Sequence, residues 1–245
     1  MDTALLVGLS RQMAARRTMD VIANNLANMT TTSFKSESVL FGEHIVEVTN
    51  DSGDTEQIAM VLDRGVSLDF AEGRMDPTGN PLDVAISGDG FFVVETSDGE
   101  QYTRNGHWGT DDEGRLVTTE GNPILTVDGG YITLSPEDGV PEIAHDGTIT
   151  TANGAVNEQI QVVRFNRADG LAKVGNSMYE TEATPLPAEE ASILQGNIET
   201  SNVVPILEMT RMIDVTRMYT SISKMIETSD QLTRDTIRRL AETNA

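Results

Sequence analysis

Apolar residues recur along this chain with two different periods. Between residues 3 and 28, Leu5, Leu6, Leu9, Met13, Met19, Ile22 and Leu26 return at three- and four-residue steps. That spacing gathers side chains on one helical face, so a long amphipathic helix is predicted, interrupted only by Gly8. It should end near Asn28, where Thr30, Thr31, Thr32 and Ser33 offer hydroxyls that compete for backbone hydrogen bonds. A second helix is predicted after Asn202, with Pro205 in its first turn. Met212, Val215, Tyr219, Ile222, Ile226, Ser229 and Thr233 then alternate three- and four-residue steps, a heptad seam that turns polar towards its end. From Pro205 to Glu242 such a helix spans roughly 57 Å. A helix that long in a 26.5 kDa chain needs a partner. The terminal helices are expected to pair, with Leu9, Met13, Ile22 and Leu26 against the C-terminal seam.

The chain between them reads differently. Residues 38–65 have weak periodicity and are expected to form an extended connector with little regular structure. From 66 to 182, short β-type runs cover 83–87, 90–95, 101–103, 115–118, 131–134, 160–165 and 178–181. Acid–glycine pairs separate them, at residues 98–99, 113–114, 120–121, 128–129, 138–139 and 146–147. Such pairs suit turns that need positive φ, which indicates an antiparallel β-rich domain. Residues 183–202 begin with a linker signal, Pro185 and Pro187. The expected fold class is therefore α+β: long N- and C-terminal helices pair as a coiled-coil-like axial unit, with an antiparallel β-rich domain inserted between them. The expected boundaries are 1–37, 38–65, 66–182, 183–202 and 203–245.

Charge sharpens this division. Residues 1–37 carry a net charge of +1 and residues 203–245 are neutral, so residues 38–202 hold −23 of a total of −22. Packing helices are spared a strong like-charge field, while a solvated domain tolerates one. The excess of 39 acids over 17 bases argues against nucleic-acid partners, since phosphate-neutralising charge is missing. The absence of cysteine excludes disulfides, thiolate zinc sites and cysteine catalysis. No run of about 18 apolar residues suggests membrane insertion. The opening residues lack the basic segment of a cleavable signal peptide, and none is expected.

No motif assembles chemistry. Gly88-Asp89-Gly90 lacks the Gly-Lys-Ser/Thr of a phosphate loop and reads as a tight turn. The acid–glycine pairs lack the D-x-D-x-D-G pattern of a calcium loop. His44, His107 and His145 have no metal-ligand spacing, and no G-x-S-x-G places a nucleophile. No cofactor, metal or catalytic residue is expected.

Four segments carry a resemblance. MDVIANNLANMTTTSFK at 19–35 resembles the N-terminal signature of the bacterial flagellar rod and hook proteins. PLDVAISGDGFF at 81–92 with YTRNG at 102–106 is similar to that family's central β-domain. LQGNIETSN at 194–202 and the stretch 205–219 are similar to its C-terminal signature. Length and central spacing are most like the proximal-rod members. Ser33 departs from the pattern, which usually has glycine there, and serine is strained at positive φ.

The resemblance implies a structural protein. Its terminal helices would pack with those of further copies and of other rod proteins into a hollow helical shaft. That shaft crosses the periplasm in the basal body and transmits torque from motor to hook. Export would use the flagellar type III apparatus. Residues expected to make subunit contacts are Leu5, Leu9, Met13, Met19, Ile22, Asn24, Asn25, Leu26, Asn28, Phe34, Met209, Met212, Val215, Tyr219, Ile222 and Ile226. The asparagines would set register, and the methionines suit neighbours of differing shape. The alternatives are a distal-rod paralogue, a non-flagellar module whose acidic β-domain binds a cationic partner above a helical dimerisation stalk, and, most remote, an acidic β-fold hydrolase.

Overall fold

The computed structural model describes residues 2–49, 55–154, 156–166, 170–188 and 190–243. The chain divides into two compact units. One gathers residues 1–27, 37–69 and 204–245; the other gathers 28–36 and 70–203.

The first unit contains both helices, α1 (Asp2–Ala27) and α2 (Pro205–Thr243), and a hairpin of β1 (Glu37–Thr49) and β2 (Thr55–Leu68). α1 stops where the sequence becomes rich in hydroxyls: the Thr31 amide donates to the Asn28 carbonyl at 3.1 Å and closes a turn instead of continuing the helix. α2 starts on Pro205, whose missing N–H costs nothing in a first turn. The Val204 carbonyl accepts the amides of both Leu207 and Glu208. The hairpin pairs antiparallel from Glu37↔Leu68 to Thr49↔Thr55, with an irregularity between Leu40 and Phe41.

Two expectations are corrected here. The described residues hold only two α-helices beside seventeen strands, so the chain is β-rich, and a coiled-coil-like helical unit is not what forms. The α2 seam from Met212 to Thr233 stays half-buried along its whole length, whereas coiled-coil knobs would be enclosed. The expected connector at 38–65 is largely β1 and β2. Its weak periodicity reflects a two-stranded ribbon with Leu40, Phe41, Ile45 and Leu62 exposed, so neither face is marked by a clean alternation.

The second unit is built from short antiparallel strands. Its six-stranded sheet runs, in spatial order, Ala172–Gly175, Met178–Glu180, Gly99–Thr103, Phe91–Thr96, Val162–Arg164 and Leu186–Pro187. Alternation along the strand Phe91–Thr96 splits the aromatics between its two faces. Phe92 points into the main core of Val84, Ile86, Trp108, Leu116, Ile124 and Ile160, with its ring centroid 4.7 Å from that of Trp108. Phe91 lies on the other face, in edge-to-face contact with Phe70 and Tyr179. All six acid–glycine pairs place their glycine at positive φ, between 77° and 116°.

Residues expected as a linker are instead part of this unit. Ser192–Gln195 pairs with Val84–Ser87, and Asn197–Glu199 pairs with Met75–Pro77. Flanking prolines disguised them, although a proline is tolerated on an edge strand, as at Leu186–Pro187.

Gly106 is a point where two backbones nearly touch. A Cβ there would lie 1.8 Å from the Val84 carbonyl oxygen, which no side-chain rearrangement can relieve. Gly106→Ala should therefore destabilise this unit by about 3 kcal/mol. Urea unfolding followed through Trp108 fluorescence measures it, Trp108 being the only tryptophan.

Candidate functional site

The two helices meet antiparallel along a narrow seam. Gly8 lies opposite Ile226, where a Cβ on the glycine would come 3.2 Å from the isoleucine Cγ1. The Gln12 amide donates to the Ser223 hydroxyl at 3.0 Å, the Thr216 hydroxyl approaches the Met19 sulfur at 3.8 Å, and the Asn25 amide reaches Glu208 at 3.4 Å. On α1 the covered row is Leu5, Gly8, Gln12, Ala15, Met19, Ile22 and Leu26, all buried or half-buried. Small residues at 8 and 15 let the helix backbones come close.

Leu9 and Met13 were expected on this seam, and the structure turns them out: they are 51 % and 65 % exposed. Reading by apolar content alone selects them, but close approach selects small side chains, and Gly8 and Ala15 carry no such signal. Ile22 is buried and Met19 half-buried on the seam, facing Met212, Val215, Tyr219, Ile222 and Ile226, each half-buried; Met209 is exposed.

The asparagines divide. Asn25 is buried and ties α1 to the start of β1: its side chain donates to the Glu37 carbonyl and accepts the Glu37 amide, both at 2.8 Å. Asn24 is half-buried. Asn28, also half-buried, caps a turn by accepting the Thr31 hydroxyl at 3.1 Å. Phe34 is enclosed in the β-rich unit, with the Lys173 ammonium 4.1 Å above its ring.

That unit holds a cluster which motif reading did not pick out. Lys35, Arg104 and Glu199 are 1 %, 2 % and 0 % exposed. Glu199 Oε1 accepts from Lys35 Nζ at 2.7 Å and from the Gly73 amide at 2.8 Å, while its Oε2 accepts from Arg104 Nε at 2.8 Å. Lys35 also donates to the Ala71 carbonyl at 2.7 Å. Arg104 directs three of its other four donors to the carbonyls of Gly88, Gly90 and Ile86. Burial alone pushes the Glu199 carboxyl up, but the charges of Arg104 and Lys35 and their hydrogen bonds outweigh it and hold the carboxyl below its ordinary 4.5. Burial pulls the Lys35 ammonium below 10.5 against the attraction of Glu199, and the like charge of Arg104 pulls it the same way.

Ser33 stands at φ 55°, the strained region foreseen for a serine at this place. Its hydroxyl donates to the Arg104 carbonyl at 2.8 Å and its amide to the Glu199 carbonyl at 2.8 Å, which offsets that strain. Asn202 completes the join by accepting the Ser36 amide at 2.8 Å. One signal could have found the cluster: each of the three charged residues sits in a different one of the recognised segments.

A helix pair made from the two ends of one chain leaves apolar residues exposed on both helices. Comparison with known proteins gives the family. Three family descriptions match: "Flagella basal body rod protein" over residues 5–35, "Flagellar hook protein FlgE/F/G D1 domain" over 85–151, and "Flagellar basal body rod FlgEFG protein C-terminal" over 194–239. The flagellar basal-body rod protein FlgF of Caulobacter vibrioides is 40 % identical over the full length of both chains. FlgF of Mesorhizobium japonicum is 34 % identical over 98 % of each, and FlgG of Bacillus subtilis 32 % identical over 96 % of this chain and 97 % of its own. The chain belongs to the flagellar basal-body rod proteins and is most like their FlgF members.

The ion cluster makes a quantitative test. Glu199→Gln leaves two buried cations without their carboxylate and should cost about 3–5 kcal/mol at neutral pH. The folded carboxyl lies below its unfolded value, so its contribution is complete above pH 4.5 and fades as pH falls below it. In urea titrations, the stability gap between wild type and variant should be widest near neutrality and close in acid.

Proposed function

We propose that this chain is a structural subunit of the flagellar proximal rod, one of the proteins that together form the shaft joining motor to hook. The observation that carries the reading is the helix pair with its uncovered apolar rows, in a chain that is 40 % identical to a FlgF protein from end to end. Packing along those helices, with further copies and with other rod proteins, builds a stiff tube able to pass torque. The role is mechanical, without catalysis. Export through the flagellar type III apparatus and a final place in the periplasmic part of the basal body follow from the same reading. Of the sixteen residues expected at subunit contacts, Leu9, Met13 and Met209 are the exposed ones and the strongest candidates for touching a neighbour. Ile22, Asn25 and Phe34 support the subunit from within.

The match to Bacillus subtilis FlgG over nearly the whole chain favours one alternative, a distal-rod subunit. Deleting the gene and counting hooks and rod lengths in purified basal bodies separates the two: loss before the distal segment forms identifies the proximal position. Flagella that assemble normally without the gene would refute both.

Ile222→Asp tests the helix seam itself. It places a carboxylate among Tyr219, Ile226 and α1, at a cost on the order of 3 kcal/mol per copy. The expected cell makes the protein, keeps the β-rich unit folded by Trp108 fluorescence, and does not spread in soft agar. Normal spreading would remove this face from the assembly.

A further inference from the structure

The chain holds two Asn-Gly steps, Asn105-Gly106 and Asn153-Gly154. At such a step the main chain can attack its own side chain, because glycine sets no Cβ in the way of the incoming amide nitrogen. The fold gives the two steps opposite surroundings.

Asn105 is pinned. Its amide donates to the Thr103 hydroxyl at 3.0 Å, its side-chain oxygen accepts the His107 amide at 3.1 Å, and its carbonyl accepts the Trp108 indole at 3.0 Å. Gly106 is buried and its carbonyl takes the Val84 amide at 2.9 Å, while the Val84 carbonyl leaves no room beside its Cα. The peptide there can neither turn its nitrogen onto the side chain nor admit an extra main-chain atom.

Asn153 is exposed, and so are Ala152 and Gly154 on either side. It stands third in a turn that closes when the Gly154 amide donates to the Thr151 carbonyl at 2.8 Å. Gly154 has φ 67° and open space where a Cβ would be. A turn bond in water-exposed backbone opens at small cost, which frees the nitrogen. The Asn153 Nδ2 donates to the Glu137 carbonyl at 2.8 Å and so ties this turn to the short helical turn Pro136–Asp138. The two segments also touch: a Cβ on Gly139 would lie 3.6 Å from that of Ala152.

We propose that Asn153-Gly154 is a site of spontaneous modification, where the asparagine becomes aspartate or isoaspartate and the segment 136–139 is released. Water and base from the solvent suffice, with no oxidant or reductant. The Gly154 nitrogen gives its proton to base and bonds to the Asn153 Cγ; the Cγ–Nδ2 bond breaks, and ammonia leaves with a proton from solvent. The succinimide then takes up one water. Opening at Cγ gives aspartate, and opening at the main-chain carbonyl gives isoaspartate, whose backbone runs through the side chain. Either product puts a carboxylate in place of the amide, so the donor to the Glu137 carbonyl is lost and acceptor faces acceptor. The aspartate form itself fits the turn, since Asp98-Gly99, Asp128-Gly129, Asp138-Gly139 and Asp146-Gly147 already set their glycines at positive φ. The site needs no enzyme and records the time since synthesis.

Full-length protein held in mildly alkaline buffer and sampled by peptide mapping tests this. The mass gain of amide-to-acid conversion is read at each asparagine, and isomerisation of the Asp-Gly pairs gives none. Native protein should convert at Asn153 and keep Asn105, while in urea the two steps should convert at similar rates. Native protein that converts at neither step, or at Asn105 as fast as at Asn153, would overturn the site. A preference for Asn153 that persists in urea would overturn its assignment to the fold. Asn153→Asp reproduces one product at once, and amide hydrogen exchange at residues 137–139 should quicken severalfold in it; unchanged exchange would overturn the release of that segment.

Discussion

A single buried carboxylate ties together remote parts of the β-rich unit. Glu199 is removed from water between two cations, and each partner comes from a remote part of the chain: Lys35 is 164 residues away and Arg104 is 95. The cost of burying any one of these charges alone is several kcal/mol, and only the simultaneous presence of the others offsets it. The cluster is thus an all-or-none join. It explains why residues 28–36, which precede β1 in sequence, fold with residues 70–203 instead. Ser33, Gly73 and Asn202 serve the same join by fixing the backbone round it, through hydrogen bonds to main-chain groups as much as to charges.

The helical unit solves a different problem. A helix has room round its circumference for more than one packing row, and these two helices divide that room. The inner rows set Gly8 and Ala15 among larger apolar residues such as Met19, Ile22, Ile222 and Ile226, and Gly8 lets the helices approach closely at Ile226. Other large apolar residues, Leu9, Met13 and Met218, lie outside. Part of the apolar surface of each helix is therefore left out of the intramolecular contact.

The same division explains what the sequence disclosed and what it concealed. Both helices, and the antiparallel character of the strands between them, were legible because 3.6-residue periodicity and acid–glycine turns are local properties. Which helix face turns inward was not, since Gly8 and Ala15 matter through the space they leave. The hairpin was hidden for want of a buried face, and the strands at 192–199 by prolines just before them. Lys35, Arg104 and Glu199 were each visible inside a recognised segment, yet their convergence is a fact of topology that no local pattern encodes.

The distance between Lys35 and Glu199 also sets a schedule. A chain emerging at about 5–20 residues per second exposes the lysine roughly 8–33 s before its carboxylate partner exists. Until then Lys35, and later Arg104, have no buried anion to join, and the β-rich unit lacks the two strands at 192–195 and 197–199, the second of which ends on Glu199. Closure therefore waits on the last fifth of the molecule, which gives a newly made subunit a built-in delay before it becomes rigid.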